Sequence, residues 1–321
     1  MHKRFVNHCT IELTISPCGP ILIKSGKEGA DPTKPDMEFV ETYHRGGKSI
    51  YLPGSSLKGA IRAHAERIVR TVGSDKPSSK GVWANDPLND KREYLSGKSA
   101  PEIYKLSCFT DQMFGSTEIA SRVRIEDAYP VNRAQLKIEE RNGVAIDRVF
   151  GSVAVGPFNY QVCTAGDFKT KIHLKNFTLA QLGLIGLVLR DLNDGWFGLG
   201  FAKSRGMGTV TVQYDSATVQ YPGCVLENEQ IKAIAFQAVR STIASDQQWS
   251  HTMLLGAGEF LDATEAGNYG FPKPDRQETP VAAAAMPLGF GVQLVWTGQI
   301  QVADLFERSV KAWSQLLGVA A

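Results

Sequence analysis

The sequence predicts an α+β fold in the order strand, helix, strand, strand, helix, strand. Three observations predict it. A period-two apolar run over residues 7–15 opens the chain, two amphipathic helical stripes follow well-marked start signals, and the segments between and after them alternate as strands. That order is the ferredoxin-like (RRM-like) βαββαβ core. Turn-rich polar stretches interrupt it at about residues 73–105, a finger or lid region, and 130–157. The expected organisation is therefore a core over residues 1–214 with two insertions, followed by an acidic C-terminal extension, 215–321, packed on the core.

Each element has its own reason. Asn7 to Ile15 alternates as a strand, Pro20–Lys24 is a second extended piece, and Gly26 to Pro35 is a polar loop. After the Pro53-Gly54 turn, Ser55 or Ser56 is placed to cap a helix. Its apolar stripe is Leu57, Ile61, Ala65, Ile68 and Val72, with Lys58, Arg62 and Arg70 elsewhere on its surface. Leu106–Phe114 is helical and stops at Gly115, and Arg122–Ala128 is a strand. Asn142-Gly143, between polar flanks, marks a hairpin turn. Tyr160–Leu174 is extended. Thr178 with Gln181 makes a capping box before the stripe Leu179, Leu182, Ile185, Leu189 and Leu192, which ends at Gly195. Met207–Tyr214 supplies the last core strand. The extension adds a helix over Gln230–Ile243, a strand over Val292–Gln301 and an amphipathic helix through Leu305, Val310, Trp313 and Leu317.

Composition narrows the function. Of 321 residues, 43% are hydrophobic and 21% charged, and no apolar run approaches the roughly 20 residues that span a bilayer. Met1-His2-Lys3-Arg4 leads straight into the strand pattern, without the apolar core of a signal peptide. Five cysteines, odd in number and without a CxxC pair, argue for reduced thiols in a cytoplasmic protein and against a zinc site. The net charge of +2 hides an asymmetry. Residues 1–214 carry 29 Lys and Arg against 22 Asp and Glu, a net of +7, whereas the rest carries 6 against 11, a net of −5. A basic body suits a polyanionic partner.

Two loops carry the relevant chemistry. In Leu52-Pro53-Gly54-Ser55-Ser56-Leu57-Lys58-Gly59-Ala60-Ile61-Arg62, a helix start brings backbone N–H groups, two hydroxyls and two cations toward one spot, where a phosphate fits. Gly198-Leu199-Gly200-Phe201-Ala202-Lys203-Ser204-Arg205-Gly206-Met207-Gly208 repeats that chemistry. Together they point to a phosphodiester backbone. Tyr43-His44-Arg45 lies just before the first of them. Trp196 and Phe197 adjoin the second loop, either stacking on bases or packing on the preceding helix, with packing the simpler expectation. Trp83, in a polar insertion, has few places to pack and is expected to contact another molecule.

The segment from Leu52 to Arg62 resembles the P-G-S-S-(L/I)-K-G-x-(I/L)-R signature of the RAMP superfamily, the repeat-associated proteins of CRISPR–Cas effector complexes. Asp111-Gln112-Met113-Phe114-Gly115-Ser116 with Arg122–Ala128 is similar to that family's L-F-G-S…R-V-x-I-x-D-A block. Ala145-Ile146-Asp147-Arg148 resembles its (N/H)-x-I-D-R, and Gly200 to Val210 its Gly-rich loop. The resemblance covers residues 5–214.

It implies a subunit that assembles with further copies of itself, and with other Cas subunits, along a CRISPR RNA that pairs with complementary target DNA or RNA. On this reading Gly54, Ser55, Ser56, Lys58 and Arg62 hold guide phosphates with His44 and Arg45 nearby. Lys203, Ser204, Arg205 and Gly206 approach the same backbone, the glycines leaving room for it. The 130–157 excursion resembles the family's thumb hairpin, which displaces a base at regular intervals. Arg133, Lys137, Arg141 and Arg148 then face phosphates, and Val149 and Phe150 form the wedge. The resemblance leaves two activities open. A type IV-like subunit is a non-catalytic scaffold needing no cofactor. A type III-like subunit cleaves target RNA with Mg²⁺ and a loop aspartate, for which Asp36, or less aptly Asp31, is the candidate. The apolar block that normally surrounds that aspartate is replaced here by Glu41–Lys48. A third activity, guide processing by histidine chemistry, finds no His paired with Lys or Tyr at a recognisable spacing; Tyr43 and His44 are its nearest candidates.

Overall fold

A computed structural model describes residues 4–26, 35–78, 81–88, 92–234 and 247–318. The core begins with β1 (His8–Pro17), a small hairpin β2 (Glu41–His44) and β3 (Gly47–Ile50), and the long helix α1 (Gly54–Val72). Helices α2 (Ala100–Leu106) and α3 (Phe109–Phe114) precede β4 (Val123–Ile125) and β5 (Tyr129–Pro130). A projecting pair, β6 (Lys137–Ile146) and β7 (Val153–Ala165), leads to β8 (Phe168–Lys175), α4 (Leu179–Asn193) and β9 (Val210–Tyr221). The extension adds β10 (Cys224–Glu227), β11 (Gln230–Ala233), β12 (Gln248–Ser250) and β13 (Met253–Leu255). It continues with α5 (Ala263–Tyr269), β14 (Arg276–Glu278), β15 (Ala284–Ala285), β16 (Val292–Thr297) and α6 (Gly298–Leu316).

The main sheet runs β15-β16-β9-β1-β8-β4, with β5 also on β8. Four of its strands, β9-β1-β8-β4, at one end of the sheet, pair antiparallel in the order of a ferredoxin-like core. Alternation decides what each face carries. On β1, Cys9, Ile11, Leu13 and Ile15 point into the core. On β8, Phe168, Thr170, Ile172 and Leu174 do the same, leaving Lys169, Lys171, His173 and Lys175 on the opposite face. Helices α1, α4 and α6 cover the apolar face. The middle one, α4, is buried nearly all round because α1 and α6 flank it. Gly183 and Gly186 admit that closeness, since a Cβ at either would meet Ser309 or Phe306 of α6. The α4 capping box forms as expected, Gln181 N–H donating to Thr178 Oγ1 at 3.3 Å and Thr178 N–H to Gln181 Oε1 at 3.1 Å.

Several sequence expectations change. The α1 stripe drifts at 3.6 residues per turn, so His64 and Val69 are buried, Ile68 is partly so, and Val72 is 49% exposed. Leu106–Phe114 is two helices, broken at Ser107-Cys108. Pro20–Lys24 contributes only bridges, at Ile21 and Lys24. Tyr160–Leu174 is the end of one strand and most of the next, turning at Gly166-Asp167. Asn142-Gly143 lies inside β6, and the hairpin turns instead over 147–152. There Asp147 Oδ1 accepts N–H bonds from Val149 at 2.7 Å and Phe150 at 2.8 Å. Gln230–Ala233 is a strand; the remainder of the helix expected there is largely outside the described residues. The segment expected as a strand to Gln301 turns into α6 at Gly298. Trp83 is buried at 5% exposure, edge-on to Tyr94 at 5.7 Å, and so is not a contact for another molecule. Strand β9 continues past residue 214 and pairs with β16, which joins the extension to the core sheet. Cys9, Cys108, Cys163 and Cys224 are buried free thiols, and Cys18 is exposed.

Candidate nucleic-acid interface

Helix α1 starts against the end of β4. Gly54 fits there because a Cβ would meet the carbonyl of Ile125. Neither serine caps the helix. Pro53 occupies the cap position without a side-chain bond, and Gly54 N–H donates to Asp127 Oδ1 at 2.7 Å. Asp127 Oδ2 accepts from Tyr129 O–H at 3.2 Å, and the Tyr129 ring stacks on His44 with centroids 3.7 Å apart. Burial, then the Asp127 charge, pushes up the phenols of Tyr51 and Tyr129. With Asp127 taking one amide, Ser55 is left exposed and Ser56 half-buried, their hydroxyls not used as caps.

The two cations of this start have different surroundings. Lys58 Nζ donates to Ser121 Oγ at 2.8 Å and borders a cleft; burial, then the neighbouring Arg62, lowers its proton affinity. Arg62 is committed inward. Its guanidinium donates to Asp111 Oδ1 at 2.7 Å, Glu66 Oε1 at 2.8 Å and the Gly115 carbonyl at 2.8 Å. Asp111, fully buried, also receives Asn85 at 2.7 Å and Arg92 at 3.2 Å. The expected phosphate ligand Arg62 is thus a tie between α1, the 73–105 insertion and α3. Motif spacing alone does not reveal this, because Asp111 lies 49 residues away.

The Gly-rich loop closes one flank of α1. Lys203, Ser204 and Arg205 form a single 3₁₀ turn between Ala202 and Gly206, both left-handed with φ of 56° and 78°. All of Lys203, Ser204, Arg205 and Gly206 are exposed. Gly200 and Gly208 serve the chain's own packing, since a Cβ there would meet the carbonyls of Leu22 and Leu199. Only Gly206 faces open space among the glycines at 198, 200, 206 and 208. Arg205 and Lys24 both lie over the Phe201 ring, at 4.9 and 5.2 Å. Between the loop and α1 lies a cleft of about 370 Å³ bordered by Ala60, Ala63, Arg67, Trp196 and Lys203. Trp196 is 72% exposed there, whereas Phe197 stacks on His64 at 4.3 Å, and His64 Nε2 is 2.8 Å from Asp191.

A larger cleft, about 1050 Å³, lies on the outer face of the sheet. It gathers His44, Arg45 and Arg133 with Lys169 and Lys171, two cations not singled out from the sequence. The signal was there, as Lys169, Lys171 and Lys175 share one parity on β8. Arg133 lies before the projecting hairpin rather than on it, and its side chain reaches the Arg45 carbonyl at 3.5 Å. Lys171 pairs with Glu12 at 2.6 Å and Lys169 with Asp215 at 3.2 Å, so this cleft is of mixed charge.

The β6–β7 hairpin is solvent-exposed for most of its length. Lys137, Arg141 and Arg148 are exposed along it, Arg141 facing Glu139 at 3.4 Å. At the tip Val149 and Phe150 are 81% and 84% exposed. The base is clamped. Cys163 pairs with Ile21, Met37 N–H donates to the Asn159 carbonyl at 3.2 Å, and Gln161 N–H donates to Met37 at 3.0 Å. Asp36, exposed at this base, accepts the Asn159 N–H at 2.8 Å. Asp31 lies outside the described residues. Among the described residues no group of three or more His, Cys, Asp or Glu is arranged to hold a metal ion, and no helix is long and apolar enough to cross a membrane.

The molecule thus combines a ferredoxin-like core, clefts bordered by cations beside a helix start and a Gly-rich loop, and an exposed hairpin carrying three cations and three acids. The RAMP superfamily model matches residues 14–211, and the chain belongs to that superfamily. It is accordingly a CRISPR-associated RNA-binding subunit, acting with CRISPR RNA and other Cas subunits. No curated protein matches the chain.

Proposed function

We propose that the chain is a repeated backbone subunit of a CRISPR effector, a type IV-like, non-catalytic scaffold that holds guide RNA for pairing with a target. The observation that carries this reading is the hairpin. An apolar tip exposed to more than four-fifths, on strands clamped at their base, is costly for a chain standing alone and suits a wedge between bases. Ten residues of β6 at about 3.3 Å each reach roughly 33 Å, enough to span a neighbouring stretch of RNA. The grip is assigned to Ser55, Ser56 and Lys58 on α1, to Lys203, Ser204, Arg205 and Gly206 in the loop, and to Lys137, Arg141 and Arg148 on the hairpin. His44, Arg45 and Arg133 form an outer flank. These groups bind phosphates and no base edge, so any guide sequence is accepted and pairing supplies specificity. Further copies line up along the same RNA. In a purification of the assembled complex, combined Lys58→Ala, Lys203→Ala and Arg205→Ala should abolish guide RNA co-purification; unchanged RNA content would refute the reading.

A second reading is favoured by one feature, the exposed position of Asp36 at the hairpin base. There the subunit would be type III-like and cut target RNA with Mg²⁺. Incubating the complex with complementary labelled RNA and Mg²⁺ separates the two. Regularly spaced cuts that vanish in Asp36→Ala establish the nuclease, and intact target establishes the scaffold.

A further inference from the structure

Beyond the predicted residues, the start of α1 shares a second cleft with the outer face of the sheet. It measures about 570 Å³, and Phe5, His8, Ser55, Lys58, Arg124 and Lys175 are among its borders. Antiparallel pairing of β1 with β8 sets His8 opposite Lys175 and Thr10 opposite His173. That register stacks the His8 and His173 rings with centroids 5.5 Å apart. The β4–β8 pairing sets Arg124 opposite His173. His173 is held on both ring nitrogens, Nδ1 at 3.2 Å from Thr10 Oγ1 and Nε2 at 2.9 Å from Glu126. Glu126 also pairs with Arg124 at 3.0 Å.

No acidic residue among the described residues borders this cleft. Glu126, outside its border, pairs with Arg124, while Lys58 and Lys175 make no ion pair among the described residues, so the remaining positive groups repel one another. The proton affinity of His8 is lowered by burial first, then by His173, Arg124 and Lys175, with a hydrogen bond to Gln220 working the other way. An anion placed between them relieves that repulsion. Phe5, 61% exposed at the rim, adds a ring with no apolar cover, and the volume is that of a site for one small ligand.

We propose that this cleft is a nucleotide subsite for single-stranded RNA, in which Lys58, Arg124 and Lys175 hold one phosphate and Phe5 stacks on the adjoining base. The proposal rests on the RNA-binding reading above and adds a position on the strand to it. A phosphate bound here stabilises protonated His8, so occupancy raises the His8 pKa. The groups facing His8 in that titration are His173 and Lys175 from β8, Arg124 from β4 and Gln220 from β9, with Glu126 beyond His173.

The test is binding of a short oligouridine to the full chain at several salt concentrations, with NMR titration of His8 in free and bound protein. Lys175→Ala should reduce the salt slope by about 0.7, the share of one phosphate on a single strand. Phe5→Ala should weaken binding about tenfold with the slope unchanged. The His8 pKa should rise in the bound protein. Both substituted side chains are partly or largely exposed, and circular dichroism checks that each variant is folded. If both variants bind as the parent does while Lys203→Ala with Arg205→Ala loses affinity, the subsite is wrong and RNA binding stands. An unmoved His8 titration in the bound protein also overturns the subsite. If the parent binds no oligouridine at low salt, the subsite and the reading beneath it fall together.

Discussion

Arg62 and Lys58 sit one turn apart in the same motif, yet the structure gives them different work, and paired substitutions separate it. Arg62→Ala removes the bonds to Asp111, Glu66 and the Gly115 carbonyl. Stripping one partner from a buried ion pair costs about 3–5 kcal/mol. Two features reduce this. Arg62 keeps 30% side-chain exposure, and Arg92 and Asn85 remain on the other oxygen of Asp111. A loss of about 2 kcal/mol is therefore expected. Lys58→Ala forfeits one hydrogen bond to Ser121, about 1 kcal/mol or less. In RNA binding the order reverses, with the salt slope falling by about 0.7 in Lys58→Ala and unchanged in Arg62→Ala. Urea unfolding and binding measured across salt concentrations read the two effects in the same preparations. A fully stable Arg62→Ala with a reduced salt slope would refute the assignment.

Phe150→Ala should leave unfolding free energy within about 0.5 kcal/mol, since the ring is 84% exposed, while erasing the regular pattern of distorted bases in a footprint of bound guide. Gly200→Ala should destabilise well beyond Gly206→Ala in urea melts. Both sit at positive φ, costing about 1 kcal/mol, and only Gly200 also meets a carbonyl. Asp275 accepts N–H bonds from Leu179 at the start of α4 and from Gly258, and burial raises its carboxyl to about 7. A carboxyl raised in the folded state binds its proton more tightly there than when unfolded. Its contribution is therefore full below about pH 4 and is lost as pH climbs toward 7. Unfolding followed across that window should show stability falling with pH in the parent and a flatter profile in Asp275→Asn.

The core was legible wherever a local period or cap dictates the outcome. Alternation located β1, and the Thr178–Gln181 box located the start of α4 to the residue. Local signals failed where a tertiary neighbour decides. Asn142-Gly143 has the composition of a tight turn, but Gly143 instead makes room for the Phe158 ring across the hairpin, and Asp147 makes the turn. The serines after Pro53 have cap chemistry, but Asp127, 73 residues away, reaches Gly54 first. The stacked pair His8 and His173 escaped the sequence for the same reason. Nothing but strand register brings them together, whereas spacing along the chain holds them far apart. The positive charge of the first 214 residues was readable as a total, and its distribution was not, because Lys169 and Lys171 are neutralised by Asp215 and Glu12 while Lys58 is not.

The subunit is proposed to hold an RNA backbone without reading bases. The most direct test compares binding of two unrelated single-stranded RNAs of equal length over a range of salt. A grip on phosphates alone gives equal affinities and one shared, steep slope of log affinity against log salt, reduced equally for both RNAs by Lys58→Ala. Affinities that differ with sequence, or binding indifferent to salt, would contradict it.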